Sequence, residues 1–324
     1  MLSEQEKDDG RKRHCLHPSE ICKPDWCPRA SYYTIKNETE KQEVHSFNLS
    51  NIFDEGHTIH DKWQNRFWKM GILYGKWQCL HCNNKFVAKS PYCCLIPTCN
   101  SKALKYLEVT VDAMAEYLIY GHCDGIIMDD IGDAMIEIKS IGIGTLRYEQ
   151  PELLSKWGDD LQGLWNDIKR PFPSHLRQAH LYADILGVSE IVFIYECKWN
   201  QQVKEFVVKA DPKVVASIYD GALDIKYALG GGRVPACIGD KCKVCTKDST
   251  TDEKHGRSDE AGSGGSGSET APEGAVPAQQ TGVGDSDVAA RWISGHAGRR
   301  PHGVVRAAHT LGGLLGGAGS PSGD

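Results

Sequence analysis

Apolar runs separated by short polar turns mark the middle of the chain, and the stretch GHCDGIIMDDIGDAMIEIKSIG, residues 121 to 142, reads as two strands joined by a turn. Asp124, Glu137 and Lys139 interrupt its apolar positions. Side chains alternate faces along a strand, so Glu137 and Lys139, two apart, share one face. With the polar run from Asp129 to Gly132 as the loop, Asp124 falls opposite Glu137. Opposed Cβ atoms on antiparallel strands lie ~5 Å apart, and like charges there repel. The pairing therefore implies a bridging cation, and hard oxygen donors of this kind suit Mg²⁺ or Mn²⁺.

The flanking segments alternate between helical and strand periodicity. GHTIHDKWQNRFWKMG, 56 to 71, puts Ile59, Trp63, Phe67 and Met70 on one helical stripe with Gly71 as the stop and His60 beside the stripe. SHLRQAHLYADILG predicts a helix with Ser174 as N-cap and Gly187 as terminator. EIVFIYECK and KEFVVKA predict two strands joined around Asn200, and Asp211 with Pro212 opens a last helix that ends at a triple glycine before Cys237. The order is mixed α and β, without an internal repeat. Trp157, Trp165, Cys123 and Cys197 read as packing residues.

Composition changes sharply after residue 249. The segment 250 to 324 is Gly, Ser, Ala and Pro with scattered charge and one aromatic residue, Trp292, which predicts a disordered tail. The whole chain of 324 residues carries a net charge of −6, so overall charge does not advertise a polyanion partner. A local basic patch such as Lys169, Arg170, His175 and Arg177 would have to serve one. The polar start MLSEQEKDDGRKRH and the lack of any run of 18 apolar residues predict a soluble cytoplasmic protein with no membrane partner. Thirteen cysteines in such a chain point to metal sites rather than disulfides.

Those cysteines are clustered. Cys79 and Cys82 form a Cys-x2-Cys pair, followed by Cys93, Cys94 and Cys99, the spacing of a zinc ribbon, with Cys94 assigned over Cys93 as a ligand. The module spans 76 to 102, and its loop residues Lys85, Lys89 and Tyr92 could touch nucleic acid, although a Zn²⁺ clamp on an insertion too small for its own core is reason enough for it.

Together, Gly56-x3-His60, GHCDG at Asp124, EIK at Glu137 to Lys139, and Gln178-x3-Tyr182 resemble, in order and spacing, the RecB-like branch of the PD-(D/E)XK nucleases. DWCPRASYY near the start and CIGDKCKVC at the end further resemble the iron–sulfur members, which include AddB-type nucleases, CRISPR-associated exonucleases and their bacteriophage relatives. The resemblance implies an α/β (α+β) restriction-endonuclease-like core over 11 to 246, a mixed central sheet flanked by helices, with the ribbon as an insertion. It implies His60, Asp124, Glu137 and the Ile138 carbonyl as ligands of Mg²⁺ or Mn²⁺, Lys139 as the group that orients the attacking water, and Gln178 and Tyr182 as positioning residues. It also implies a [4Fe-4S] cluster on Cys27, Cys237, Cys242 and Cys245. The expected activity is exonucleolytic cleavage of DNA from single-stranded ends, in phage or host recombination and repair, with partner proteins of those processes. The alternatives are a CRISPR spacer-acquisition nuclease and a nucleic-acid-binding accessory that works through its ribbon and keeps a vestigial site.

Overall fold

The computed structural model describes residues 14 to 36, 46 to 130, 132 to 239, and 242. The expected disordered tail and Cys245 lie outside these residues. Two short helices open the fold, α1 (Pro18–Ile21) and α2 (Pro28–Lys36), and a long one, α3 (Phe47–Lys69), follows. Three strands come next, β1 (Leu73–Cys79), β2 (Lys85–Lys89) and β3 (Leu104–Tyr106). A pair of strands, β4 (Val109–Ala113) and β5 (Ile119–Cys123), flanks the single-turn helix α4 (Met114–Tyr117), and the hairpin β6 (Gly125–Met128) and β7 (Asp133–Ile141) completes the first half. Helices α5 (Ile143–Glu149), α6 (Pro151–Trp157), α7 (Leu161–Asp167) and α8 (Pro173–Leu186) lead to β8 (Glu190–Cys197) and β9 (Val203–Lys209), and α9 (Ala216–Leu229) follows a 3₁₀ turn.

Among the described residues, seven strands form one mixed sheet in the order β2-β1-β6-β7-β8-β9, with β3 on the free part of β1, while β4 and β5 make a separate ribbon. Within the sheet only the β7 and β8 pair is parallel, and the four helices between them make the long crossover that parallel neighbours require. One face of the sheet packs on α3 through Ile59, Trp63 and Phe67 against Ile136 and Ile138. The opposite face packs on α8 through Ala179, Tyr182 and Ala183 against Met135, Phe193 and Tyr195. A third core behind α8 joins α9 to the amino-terminal segment, where Leu16 bridges to Ile119. Among the described residues, no helix is long and apolar enough to cross a membrane.

Several expected boundaries move for local reasons. The helix expected over 56 to 71 begins at Phe47, because Ser46 caps it by accepting from the Leu49 N–H at 3.3 Å, and Met70 at its end is exposed rather than on the buried stripe. Ser174 is not the cap of α8. That position belongs to Phe172, and the Ser174 hydroxyl instead donates to Glu149 Oε1 at 2.6 Å. Gly187 does end α8, in the left-handed conformation at φ 67°. The last helix starts at Ala216, after the turn begun by Pro212.

The start of α8 is pinned to the sheet by one polar link. The Tyr195 hydroxyl accepts from the Phe172 N–H at 2.9 Å and is hydrogen-bonded to His175 Nδ1, 2.6 Å away. Burial together with the Lys139 charge holds the His175 pKa well below the usual imidazole value. A depressed histidine pKa contributes stability that is complete above the unfolded value of ~6.5 and is lost as pH falls toward the folded one. His175→Gln retains an acceptor but cannot titrate. Thermal unfolding followed between about pH 7 and 5 should show wild type losing up to about 1 kcal/mol per pH unit more than this variant; parallel curves would show that His175 is not held neutral.

Candidate metal centre and cysteine clusters

The turn after β6 closes as its sequence demands, with Asp129 accepting from the Gly132 N–H at 3.0 Å, and the ladder then pairs Gly125 with Ile136 and Met128 with Asp133. Extending that register by one residue puts Asp124 opposite Glu137. The first strand expected in this region is not continuous, however. Cys123 ends β5 in the small ribbon and Gly125 begins β6 in the main sheet, so Asp124 sits where the chain changes sheets.

Asp124 is fixed from several sides. Its Oδ2 accepts from the Ile138 N–H at 2.5 Å, its Oδ1 lies 2.8 Å from His60 Nδ1, and its carbonyl accepts from Gln64 Nε2 at 3.1 Å. His60 and Gln64 are four apart on α3 and so project from one helical face. The helix cannot turn away from this contact, because Trp63 between them donates to the buried Glu196 at 2.7 Å and Lys62 pairs with the same carboxylate. Burial pulls the His60 imidazole down, but the charge and hydrogen bond of Asp124 outweigh it, and its pKa is raised.

The third member of this group had no motif to announce it. Glu108 lies between β3 and β4 at φ 63°, and its carboxylate, the His60 ring nitrogen and the Asp124 carboxylate all come within 4.8 Å of one another. Burial and the Asp124 charge push the Glu108 pKa up to about 7. In sequence it is one acid in LKYLEVTV, at the edge of a strand-like run. Its left-handed backbone angle, which no residue letter announces, directs it inward.

Glu137 is not among those three donors. Its Oε1 takes the Lys139 ammonium at 2.6 Å, on the face that both residues share. Burial raises the Glu137 pKa against the pull of Lys139, and burial lowers that of Lys139 less than Glu137 and Asp124 raise it. Lys139 also donates to Gln178 Oε1 at 3.2 Å, and Gln178 Nε2 donates to the Tyr182 hydroxyl at 3.1 Å, so the two α8 residues form a chain behind the lysine. What Ile138 shows here is its N–H, bound to Asp124. An imidazole and two carboxylates within this radius match the donor set of a divalent cation that prefers oxygen.

Two cysteine groups lie apart from this centre. The sulfurs of Cys79, Cys82, Cys94 and Cys99 converge within 4.8 Å, with the pairs Cys79 to Cys99 and Cys82 to Cys94 each 3.6 Å apart, and Cys93 stands outside them. Hydrogen bonds from the backbone N–H groups of Cys82 and His81 lower the Cys79 pKa to about 6, while the pKa values of Cys94 and Cys99 in the same cluster are raised. Cys27, Cys237 and Cys242 converge within the same radius, Cys27 and Cys237 at 3.9 Å. Packing of α2 on α9 brings them together: Gly221 has no Cβ, and one there would lie 2.7 Å from the Trp26 ring beside Cys27. Sulfurs around one tetrahedral ion with bonds of ~2.3 Å sit ~3.8 Å apart. The three sulfurs lie at the spacing of ligands to one ion, and Cys245, the fourth cysteine of the expected [4Fe-4S] cluster, lies outside the described residues. Cys15 lies 3.7 Å from His17, Cys22 is buried with its pKa raised to about 12, and Cys123 and Cys197 are buried in the core.

No protein-family model and no curated protein matches the chain. Among solved structures it is similar to the alkaline exonuclease LHK-Exo from Laribacter hongkongensis, at 12% identity over 68% of this chain and 89% of that one, with a TM-score of 0.40. It is also similar to LHK-Exo in complex with dAMP, at 11% identity over 75% and 95%, with a TM-score of 0.41. The chemistry open to the centre is set by its own side chains.

Gly125 is what lets the chain cross between sheets beside Asp124. A Cβ there would lie 2.8 Å from both Leu73 Cδ1 and the Tyr106 hydroxyl. Gly125→Ala should cost about 1–3 kcal/mol through overpacking and displace Asp124, lowering divalent-ion affinity along with the melting temperature. Calorimetry on the variant checks both; an unchanged Tm would mean that the space is there.

Proposed function

We propose that this chain is a divalent-metal-dependent nuclease that hydrolyses phosphodiester bonds of DNA, working from strand ends. The observation that carries the reading is the convergence of Asp124, Glu108 and His60 beside the ion pair of Glu137 and Lys139. When bound, Mg²⁺ or Mn²⁺ would lower the pKa of a water and offset phosphate charge. The chain's own residues do the rest. Asp124, locked by the Ile138 N–H, and His60, locked by α3, present fixed donors. Lys139, kept protonated by Glu137 and Asp124, stands where it can orient a water and stabilise charge on a scissile phosphate. Gln178 and Tyr182 hold the lysine's direction. Single-stranded ends, and a setting in phage or host recombination or repair, belong to the same proposal and rest on the motif resemblance. Glu137→Ala and Lys139→Ala should each abolish cleavage of an end-labelled strand. Titration calorimetry with Mn²⁺ should separate the ligands from the lysine: Asp124→Asn and Glu108→Gln lose affinity by roughly tenfold or more, whereas Lys139→Ala keeps it. Equal loss in all three would contradict the division into ligands and a positioning lysine.

For the cysteines, we propose that Cys79, Cys82, Cys94 and Cys99 hold a structural Zn²⁺ and that the Cys27 group holds a second tetrahedral ion, completed by Cys245. The close sulfur spacing supports both sites. Two zinc ions per chain and no visible absorbance are therefore expected from protein purified without oxygen, and Cys79→Ser should release one of them. About four irons per chain and a brown colour would instead restore the cubane.

A further inference from the structure

From residue 73 to 107 the chain holds five lysines, Lys76, Lys85, Lys89, Lys102 and Lys105, and not one Asp or Glu, within a sequence whose net charge is −6. The strand register decides where they point. Across β1 and β2, Lys76 opposes Val87 and Gln78 opposes Lys85, and across β1 and β3, Gln78 also opposes Lys105. Opposed residues share a face, and so do residues two apart on a strand. Lys76, Lys85, Lys89 and Lys105 therefore all lie on one face of this three-stranded part of the sheet. The other face carries Trp77, Phe86, Leu104 and Tyr106, packed beneath α3 with Trp68.

This lysine face lies on the same side of the sheet as Glu137 and Lys139, with the buried Tyr74, Ile126 and Met135 between them. Tyr74, on the same side, opposes Lys89 in one direction and Ile126 in the other, and Ile126 opposes Met135. Two residues beyond Met135 is Glu137, and two beyond that is Lys139. The lysine face and the Glu137 and Lys139 pair are thus on one side of a single sheet, and β3 leads directly to Glu108.

We infer that this face is a platform for the sugar-phosphate backbone of a single DNA strand whose end lies at the metal centre. The choice of polymer rests on the nuclease reading. Charge complementarity argues for the occupant: Lys85 and Lys105 flank Gln78 at a separation of about 10 Å, and Lys85 and Lys89 are ~13 Å apart along β2, so a chain of phosphates can meet several of them at once.

The test uses the full chain, a fluorescent single strand of about 20 nucleotides, and Ca²⁺ in place of Mg²⁺ or Mn²⁺, with affinity read by anisotropy over about 50 to 300 mM NaCl. Each phosphate contact to a single strand contributes ~0.7 to the slope of log affinity against log salt, so Lys85→Gln, Lys89→Gln and Lys105→Gln together should lower it by about 2. A control triple, Lys209→Gln, Lys213→Gln and Lys226→Gln, removes equal charge elsewhere and should leave the slope near that of wild type. An unchanged slope in the first triple, an equal fall in both, or wild type that binds no strand would overturn the platform. Cleavage by wild type with Mn²⁺ is scored separately. A chain that binds with the expected slopes but cuts nothing would refute the nuclease reading and leave the platform standing.

Discussion

Burial and the Asp124 charge push both Glu108 and Glu137 toward protonation, and this crowding of three carboxylates is the constraint around which the fold is arranged. In a partly buried setting, like charges are tolerated only where cations or hydrogen-bond donors are placed among them. Each acid accordingly has its own donor: Gln64 and His60 reach in from α3, the Ile138 N–H comes from β7, and Lys139 lies one pleat along from Glu137. The helices exist in these positions to deliver those groups. The α3 helix is clamped by Glu196, and α8 is tied down at its start by Tyr195, which lies directly beside Lys139 in the parallel ladder.

Much of this was legible in the sequence where short-range rules apply. The hairpin register follows from a turn of Asp and Gly between two apolar runs, and it fixes which face Glu137 and Lys139 share. The strands on either side of Asn200 and the stop at Gly187 follow equally from alternation and from the freedom of glycine. The grouping of Cys79, Cys82, Cys94 and Cys99 is written in their spacing.

What escaped depends on contacts between distant segments or on a backbone angle. Glu108 enters the centre because residue 108 adopts a left-handed conformation at the end of β3. Ser174 has the chemistry of a helix cap, yet Glu149, on another helix, takes its hydroxyl and leaves the cap position to Phe172. The break at Asp124 is also tertiary in origin, since the same apolar run serves two sheets and divides where Gly125 meets Leu73 and Tyr106. The pairing of Glu137 with Lys139, in place of Asp124, reflects a choice between neighbours on one face that alternation alone does not make.

The ladder joining β6 to β7 has a consequence for how this chain can change its length. Asp129, Asp130 and Gly132 are exposed, and the ladder holds only up to Met128 and Asp133, so residues added at the tip need not disturb the pairs below it. Within either strand the tolerance is of another kind. A single residue gained or lost between Gly125 and Met128, or between Asp133 and Glu137, would reverse the parity of every position beyond it and carry an acid to the face beneath α3. Two residues would restore the parity but slide Asp124 a full pleat from Glu137. Drift in length is thereby channelled into the tip, while the distance from each strand end to its acid stays fixed.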